Sequence, residues 1–284
     1  MYTRIISAAI AVAAAVILLI LHNTFVFNIA IAFISVAIIY EIFKASKFEQ
    51  YKIQSYLCYG YAFLDAFMRV FHRHGWLTFI NNRFYFGLFI LVMLLLYLRS
   101  YNKLKFTELF FMTGVTMLIT YSMNTLLYMS SFGKTGVFML VLTLAGAWLA
   151  DSGAYFAGTY FGKTPLCPNI SPKKTVEGVI GGVLSSGILL IIISLFYDFV
   201  LKGESVNYIM VFLAGIGCAL FGLVGDLTAS LIKRQCGIKD FGNIMPGHGG
   251  VLDRFDSVLL AAPFMYYMLS LIHISEPTRH AQIS

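Results

Sequence analysis

The chain has 284 residues, of which 59% are hydrophobic and only 12% are charged, and its mean hydropathy is +0.82. This composition excludes an ordinary soluble globule and is typical of an integral membrane protein. The formal net charge of +7 does not indicate a nucleic-acid-binding protein, because the basic residues are spread over short loops instead of forming one stripe.

Hydropathy predicts nine membrane-spanning helices. Apolar runs of about 20 residues are long enough to cross a bilayer, and a helix satisfies its own backbone hydrogen bonds there. The runs are 4–22, 25–44, 51–70, 84–100, 107–131, 136–160, 177–201, 207–232 and 254–274. We therefore predict an all-α, polytopic helical bundle. The third run is the weakest, because it contains Asp65 and several tyrosines.

We expect a single membrane domain over residues 1–268, with less specific helices in 1–135 and the functional helices and loops in 136–268. The remaining residues, 269–284, begin with LSLIHISEPTRH, which matches the translation of a common sequencing-library transposon adapter. We interpret 269–284 as an artificial tail and assign it no role. The alternative is a genuine amphipathic end.

The distribution of lysine and arginine predicts the orientation in the membrane. With nine spans, most basic residues lie on the side of the N-terminus, which the positive-inside rule places in the cytoplasm. The polar loops after the sixth and eighth helices share that side. We therefore expect a multi-pass protein of the inner cell membrane with its polar site facing the cytoplasm. The four cysteines are scattered without the spacing of a disulfide framework or a zinc site.

The sixth helix ends in LADSGAYFAGTYFGKTP and contains one carboxylate, Asp151. A carboxylate at membrane depth generally faces a polar cavity or a partner. The small residues Gly153, Ala154, Ala157 and Gly158 predict close helix packing. The string GTYFGKT is not a Walker A phosphate loop, because only three residues separate Gly158 from Gly162 and no strand is predicted before them.

The segment SPKKTVEGVIGG follows, and its polar residues precede a helix predicted to begin near Val176. They are Ser171, Lys173, Lys174 and Thr175. Exposed amides at a helix N-terminus favour phosphate binding, and lysine adds positive charge. A capped helix start with solvated lysines is the alternative at this point.

The segment from Asp226 to Asp256 concentrates charge and glycine in an otherwise apolar chain. Spacings of four and of seven or eight place Ser230 and either Lys233 or Arg234 on the face of the eighth helix that holds Asp226. We expect that face to line a cavity. A glycine-rich loop then leads to Asp253 and Asp256, which are three residues apart. Such oxygen ligands suit Mg²⁺. In that loop, His248 is either a hydrogen-bonding loop residue or a direct participant.

These residues resemble one family, the phosphatidate cytidylyltransferases, also called CDP-diacylglycerol synthases. Its signature runs S-x-x-K-R, four residues, K-D, then P-x-H-G-G-x-x-D-R-x-D. In this chain the matching positions are Ser230, Lys233, Arg234, Lys239, Asp240, Pro246, His248, Gly249, Gly250, Asp253, Arg254 and Asp256. Met245 departs from the usual Ile or Leu, a change of little chemical consequence. The resemblance covers residues 151–257, whereas the first half matches only as generic membrane helices.

The resemblance implies that CTP and phosphatidate react at a bilayer to give CDP-diacylglycerol and pyrophosphate, with Mg²⁺ and room for a second cation such as K⁺. It also allows a homodimer. By analogy and by the oxygen-ligand argument, the metal candidates are Asp226, Asp253 and Asp256, with Asp240 weaker. The other catalytic candidates are Ser230, Lys233, Arg234, Lys239, His248 and Arg254. The substrate-binding candidates are Asp151, Ser171, Lys173, Lys174, Thr175, Glu177, Gly249 and Gly250.

Two other functions fit parts of the pattern. A CTP-dependent lipid kinase would use the same nucleotide and metal but would transfer the γ-phosphate and release CDP. An ion-coupled transporter could place Asp65, Asp151 and Asp226 in the membrane. Transporters commonly show inverted repeats and midplane sites, whereas charge here is concentrated at one end of the helices.

Overall fold

The computed structural model describes residues 2–73, 82–100, 103–132, 134–200, 206–242 and 249–275. Helices dominate this part of the chain. In chain order they are α1 (Tyr2–Ile20), α2 (Phe25–Ala45), a short 3₁₀ helix (Phe48–Gln50), α3 (Lys52–Arg73), α4 (Asn82–Arg99), α5 (Phe106–Ser130), α6 (Lys134–Phe161), α7 (Val176–Val200), α8 (Tyr208–Gln235) and α9 (Leu252–Ser275). Two short strands, β1 (Pro165–Cys167) and β2 (Ser171–Thr175), lie between α6 and α7.

The all-α membrane class predicted from hydropathy is confirmed. Five helices of the described residues, α2, α5, α6, α7 and α8, are long and apolar enough to cross a membrane. The chain is therefore a multi-pass membrane protein. The number of nine spans stays a prediction, because the described residues contain five candidate spans and α1, α3, α4 and α9 are not among them.

The strands β1 and β2 form an antiparallel hairpin that the sequence did not predict. Pro165 lies opposite Thr175, and Cys167 lies opposite Ser171, with a register irregularity between Pro165 and Cys167. The helix predicted to begin near Val176 does begin there. β2 ends at Thr175, one residue before α7, and both of its end residues lie opposite residues of β1. Lys173 and Lys174 therefore lie in a strand that is held at both ends.

The chain forms two compact units. The first comprises Met1–Leu127 and Cys236–Asp253, and the second comprises Tyr128–Gln235 and Arg254–Ser284. The single domain expected over residues 1–268 stays a prediction. The adapter-like segment lies mostly outside the described residues, which end at Ser275 within α9.

In the second unit, α6 packs closely on α7 through small residues. A Cβ added to Gly182 would lie 2.7 Å from the carbonyl oxygen of Ala150, and one added to Gly178 would lie 2.9 Å from that of Ala154. Backbones can approach so closely only where side chains are missing. The predicted small face of the sixth helix is therefore confirmed, and it brings Asp151 beside the first turns of α7.

Asp256 and Ser257 of α9 also lie close to α8 in the same unit. A Cβ added to Gly225 would lie 2.3 Å from the carbonyl oxygen of Asp256, and one added to Gly222 would lie 3.4 Å from the Cβ of Ser257. Gly225 precedes Asp226 directly in the chain. The two helices therefore bring Asp226 and Asp256 to the same level of the second unit.

In the first unit, α2 packs on α3 around buried aromatic and aliphatic side chains. Phe43 and Ile38 are fully buried, and the rings of Phe43 and Phe48 lie 5.9 Å apart, edge to face. The Nδ2 group of Asn28 donates to the carbonyl oxygen of Ala66 at 2.8 Å, which joins the two helices. This packing fixes α2, the helix that carries Glu41.

Candidate active site

A cavity of about 540 Å³ opens in the second unit among α6, β2, α7 and α8. Its size lies within the range of small-molecule sites. Its polar lining consists mainly of Asp151, Ser171, Lys173, Lys174, Thr175 and Asp226. Its apolar lining includes Ala150, Ala154, Val179, Val183, Ala219 and Leu223. The structure thus brings several predicted site residues together in one space that is charged on one part and apolar on another.

An ion pair joins the hairpin to α8 inside this cavity. The Nζ atom of Lys174 contacts Oδ2 of Asp226, and the two side chains are 24% and 22% exposed. The hydroxyl of Ser230, one helical turn on, donates to Oδ1 of Asp226 at 3.3 Å. The predicted sharing of one helix face by Asp226 and Ser230 is confirmed. Each carboxylate oxygen of Asp226 is therefore engaged by a side chain.

A second contact fixes the hairpin against the end of α8. The Nε group of Arg234 donates to the carbonyl oxygen of Ile170 at 3.1 Å. Ile170 precedes β2 directly, so this contact and the Lys174–Asp226 pair hold the strand near both ends. The SPKKT segment, with Ile170 before it, therefore contacts α8 at two points.

The start of α7 and its neighbours are ordered by Thr175 and Glu177. Thr175 Oγ1 accepts the Gly178 N–H at 3.1 Å, as a helix N-cap does. The Glu177 carboxylate accepts the N–H groups of Lys163 at 3.0 Å and Thr164 at 3.1 Å. Glu177 therefore binds the two residues that directly precede β1. Its predicted role in substrate binding stays a prediction.

Two further carboxylates belong to the second unit. Oδ2 of Asp151 accepts the hydroxyl of Ser257 at 3.1 Å. Asp256 is 9% exposed, and its Oδ1 accepts the N–H of Ser257 at 2.8 Å. Ser257 thus links the carboxylate of α6 to the first turns of α9.

Charges of both signs act on these carboxylates. Asp151, Asp226 and Asp256 are close enough to repel one another, while Lys174, Lys233 and Arg254 attract them. Such a mixed cluster in an apolar surrounding is stable only when opposite charges are paired. The cluster therefore places carboxylates and basic side chains beside one another in the second unit.

In the first unit, Asp253 organises the glycine-rich segment. Its Oδ2 atom accepts the N–H groups of Phe241 at 3.0 Å and Gly250 at 2.9 Å. Gly249 has φ +85°, and a Cβ there would lie 2.9 Å from Oδ2 of Asp253. Only glycine adopts this conformation without strain. Gly249 and Gly250 thus approach the Asp253 carboxylate, and their predicted contact with substrate stays a prediction.

Two other signature residues of the first unit lie at the surface. Lys239 and Asp240 are exposed and follow Gly237, which has φ +68° just beyond the end of α8. Pro246 and His248 lie outside the described residues. The direct role of His248 stays a prediction.

Sequence reasoning missed one residue, Glu41 of α2. This carboxylate is 1% exposed and accepts the N–H groups of Val251 at 2.9 Å and Leu252 at 2.8 Å. The signal that could have identified it is a carboxylate inside an apolar run, the same feature that singled out Asp151.

Comparison with known proteins agrees with this geometry. A sequence model of the cytidylyltransferase family matches residues 2–272. The phosphatidate cytidylyltransferase of Haemophilus influenzae is 33% identical over 283 residues, covering 93% of this chain and 96% of that protein. The enzyme of Bacillus subtilis is 37% identical over 186 residues, covering 65% and 67%. That of Aquifex aeolicus is 45% identical over 130 residues, covering 46% of each.

The family match spans more than half of the chain, and the Haemophilus influenzae relative is similar over nearly its whole length. The resemblance first noticed in residues 151–257 therefore extends to the N-terminal helices, which the sequence alone left generic. The chain belongs to the cytidylyltransferase family.

Proposed function

We infer that the chain transfers the cytidylyl group of CTP to phosphatidate, giving CDP-diacylglycerol and pyrophosphate. The relatives carry the name phosphatidate cytidylyltransferase. The observation that carries the inference is the cavity in which Lys173 and Lys174 face Asp226 beside an apolar wall. The cavity therefore offers cationic groups that can bind phosphate and an apolar surface that can bind a lipid.

Both substrates carry phosphate, and the second unit offers cations for them. Lys173, Lys174 and Thr175 lie in the cavity, and Lys233, Arg234 and Arg254 belong to the same unit. Ammonium and guanidinium groups bind phosphate oxygens by charge and hydrogen bonds. The apolar wall formed by Val179, Val183 and Leu223 suits the glycerol and acyl portion of a lipid better than a free nucleotide.

The proposed cofactor is Mg²⁺, with room for a second cation such as K⁺. Within the described part of the chain, no group of three or more His, Cys, Asp or Glu side chains is arranged to hold a metal ion. Mg²⁺ does not require such a cage, because it usually binds one or two carboxylates, water and substrate phosphates. The residues proposed to bind it are the candidates named from the sequence, Asp226, Asp253 and Asp256, with Asp240 as a weaker candidate. When bound, the ion would neutralise phosphate charge.

The reaction needs little acid–base chemistry. A phosphate oxygen of phosphatidate is already anionic at neutral pH and attacks the α-phosphorus of CTP, while the bond to pyrophosphate breaks. The chain must hold two anionic groups together and stabilise the charge on the leaving group. The lysines of β2 and the basic residues of α8 supply that charge. Ser230, which already holds Asp226, would keep its carboxylate oriented.

The remaining signature residues belong to the first unit. Lys239, Asp240, His248, Gly249 and Gly250 keep the roles that the family resemblance implies. Asp253 is oriented by the two N–H groups that it accepts, as hydrogen bonds commonly orient metal ligands.

The bilayer is part of the proposal, since one substrate is a lipid. We propose that the chain lies in the inner membrane with its active site toward the cytoplasm, where CTP is dissolved. Support comes from the positive-inside distribution and the bacterial relatives. Pairing into a homodimer belongs to the same proposal and is tested by the mass of the detergent-solubilised chain.

The test follows each phosphate of CTP. Purified chain in mixed micelles receives phosphatidate, Mg²⁺ and CTP labelled either at the α- or at the γ-phosphate. The expected result is α-label in the lipid fraction and γ-label in pyrophosphate.

Other outcomes identify the alternatives. Transfer of γ-label to a lipid alcohol with release of CDP would identify a lipid kinase. Ion flux in vesicles without nucleotide turnover would identify a transporter. Either result would overturn the proposed function.

A further inference from the structure

Glu41 is a buried carboxylate that the proposed reaction does not yet use. It lies four residues before the end of α2, a helix long and apolar enough to cross a membrane, and it is 1% exposed. Burying a carboxylate is costly unless hydrogen bonds or opposite charges compensate for the lost hydration. The partners of Glu41 therefore indicate its role.

Two backbone groups meet this carboxylate, one at each oxygen. The N–H of Val251 donates to Oε1 at 2.9 Å, and the N–H of Leu252 donates to Oε2 at 2.8 Å. Leu252 is the first residue of α9. The first N–H groups of a helix have no partner within the helix, and a carboxylate satisfies both their hydrogen bonds and the helix dipole.

Glu41 also contacts the backbone at two glycines, Gly242 and Gly250. A Cβ added to Gly242 would lie 2.6 Å from Oε1, and one added to Gly250 would lie 2.5 Å from Oε2. Gly242 follows the signature pair Lys239–Asp240 by two residues, and Gly250 precedes Asp253 by three. The Glu41 side chain therefore contacts the backbone both at Gly242 and at Gly250.

Asp253 contacts the same two parts of the chain, because its carboxylate accepts the N–H groups of Phe241 and Gly250. Gly250 is common to both carboxylates: its N–H binds Asp253 and its Cα lies against Glu41. A displacement of the segment away from Glu41 would therefore move the Asp253 carboxylate as well.

We propose that Glu41 is a positioning residue for cytidylyl transfer, which holds the backbone around Asp253 in place without touching substrate. This inference rests on the proposed function. It predicts that the arrangement of two acceptor oxygens matters, not merely the presence of a polar side chain of the same size.

The test is Glu41→Gln in the full chain. Glutamine has nearly the same volume but offers one acceptor oxygen and one donor, so the N–H of Val251 or of Leu252 loses its partner. Small displacements of catalytic groups are expensive in rate. We expect kcat to fall about 10- to 100-fold, the usual range for residues that orient catalytic groups, while KM for CTP changes less than about 3-fold.

The matched control is Glu108→Gln in the same unit. Oε2 of Glu108 accepts the N–H of Lys105 at 2.8 Å and the hydroxyl of Tyr51 at 2.9 Å, so this carboxylate also caps backbone, but at the start of α5. We expect wild-type kcat from this variant. Size-exclusion profiles and melting temperatures in detergent compare the folded state of both variants.

A second variant, Gly242→Ala, disturbs the same contact while leaving Glu41 intact. The three atoms nearest to the added methyl group all belong to Glu41. We expect the same fall in kcat from Gly242→Ala. If Glu41→Gln does not fold, a normal kcat in folded Gly242→Ala overturns the proposal.

The remaining outcomes separate the two proposals. Wild-type chain that makes no CDP-diacylglycerol overturns the proposed function and, with it, the role of Glu41. Active wild type whose kcat is unchanged in folded Glu41→Gln, or equally reduced in Glu108→Gln, overturns the positioning role alone.

Discussion

Asp226 of the second unit and the carboxylates Glu41 and Asp253 of the first unit are held in different ways. In the second unit, Asp226 is engaged by the ammonium of Lys174 and the hydroxyl of Ser230 in an accessible cavity. In the first unit, Glu41 and Asp253 accept backbone N–H groups of the glycine-rich segment.

This difference separates binding from positioning. A lysine side chain can leave a carboxylate and turn to a phosphate at small cost, because its stem is flexible. Backbone N–H groups cannot leave without moving the chain. We therefore expect the cavity of the second unit to exchange partners when substrates bind, and the first unit to keep its hydrogen bonds throughout the reaction.

The largest loss of activity is expected from substitutions of Asp253. Its size tests whether this carboxylate does more than hold the backbone in place. We expect both Asp253→Ala and Asp253→Asn to lower kcat at least about 10³-fold, because we propose a cation ligand and an amide lacks the charge. Asparagine still offers an oxygen to Phe241 and Gly250. Activity of Asp253→Asn within about 10-fold of wild type would remove the metal assignment. Asp198→Asn, which alters a carboxylate bound to Tyr208 in the second unit, serves as the control.

A smaller effect is expected from the lysines of the cavity. Lys174→Met removes the partner of Asp226 and one phosphate-binding charge, and we expect kcat/KM to fall about 10²-fold. Lys173 also lines the cavity but is exposed. Lys173→Met should therefore cost less than about 10-fold, as expected for a solvated charge. Steady-state rates with varied CTP check this order, and equal losses in the two variants would contradict it.

The smallest effect concerns the packing that brings Asp226 and Asp256 to one level. Gly225→Ala would place a methyl group against the carbonyl oxygen of Asp256, and such overpacking costs about 1–3 kcal/mol. We expect a lower melting temperature in detergent. Gly114→Ala in α5 is the control, because nothing lies within 4 Å of its added Cβ. Identical melting of the two variants would show that α8 and α9 can separate without cost.

Local signals in the sequence predicted much of the structure. Apolar runs located the helices, because lipid forces each spanning segment to satisfy its own hydrogen bonds. The four-residue spacing of Asp226 and Ser230 predicted that they share a helix face. Small residues after Asp151 predicted close packing of the sixth helix, which the structure shows against α7. In each case the determining residues lie within a few turns of one another.

The features that were missed depend on short or distant pairings. Pro165–Cys167 and Ser171–Thr175 are too short for an alternating pattern to mark them as strands. Glu41 finds its partners 210 and 211 positions away along the chain. Its apolar neighbours indicated a membrane helix, but nothing nearby indicated which backbone groups it would bind.

The most direct test of the proposed active site removes charge at Asp226 while keeping the size of its side chain. Transfer of α-phosphate label from CTP into lipid is compared between purified wild type and Asp226→Asn, with size-exclusion profiles confirming that both are folded. We predict a loss of at least about 10³-fold, because Asp226 pairs with Lys174 and is a proposed cation ligand. A folded Asp226→Asn chain that retains activity within about 10-fold of wild type would contradict the assignment of this cavity as the active site.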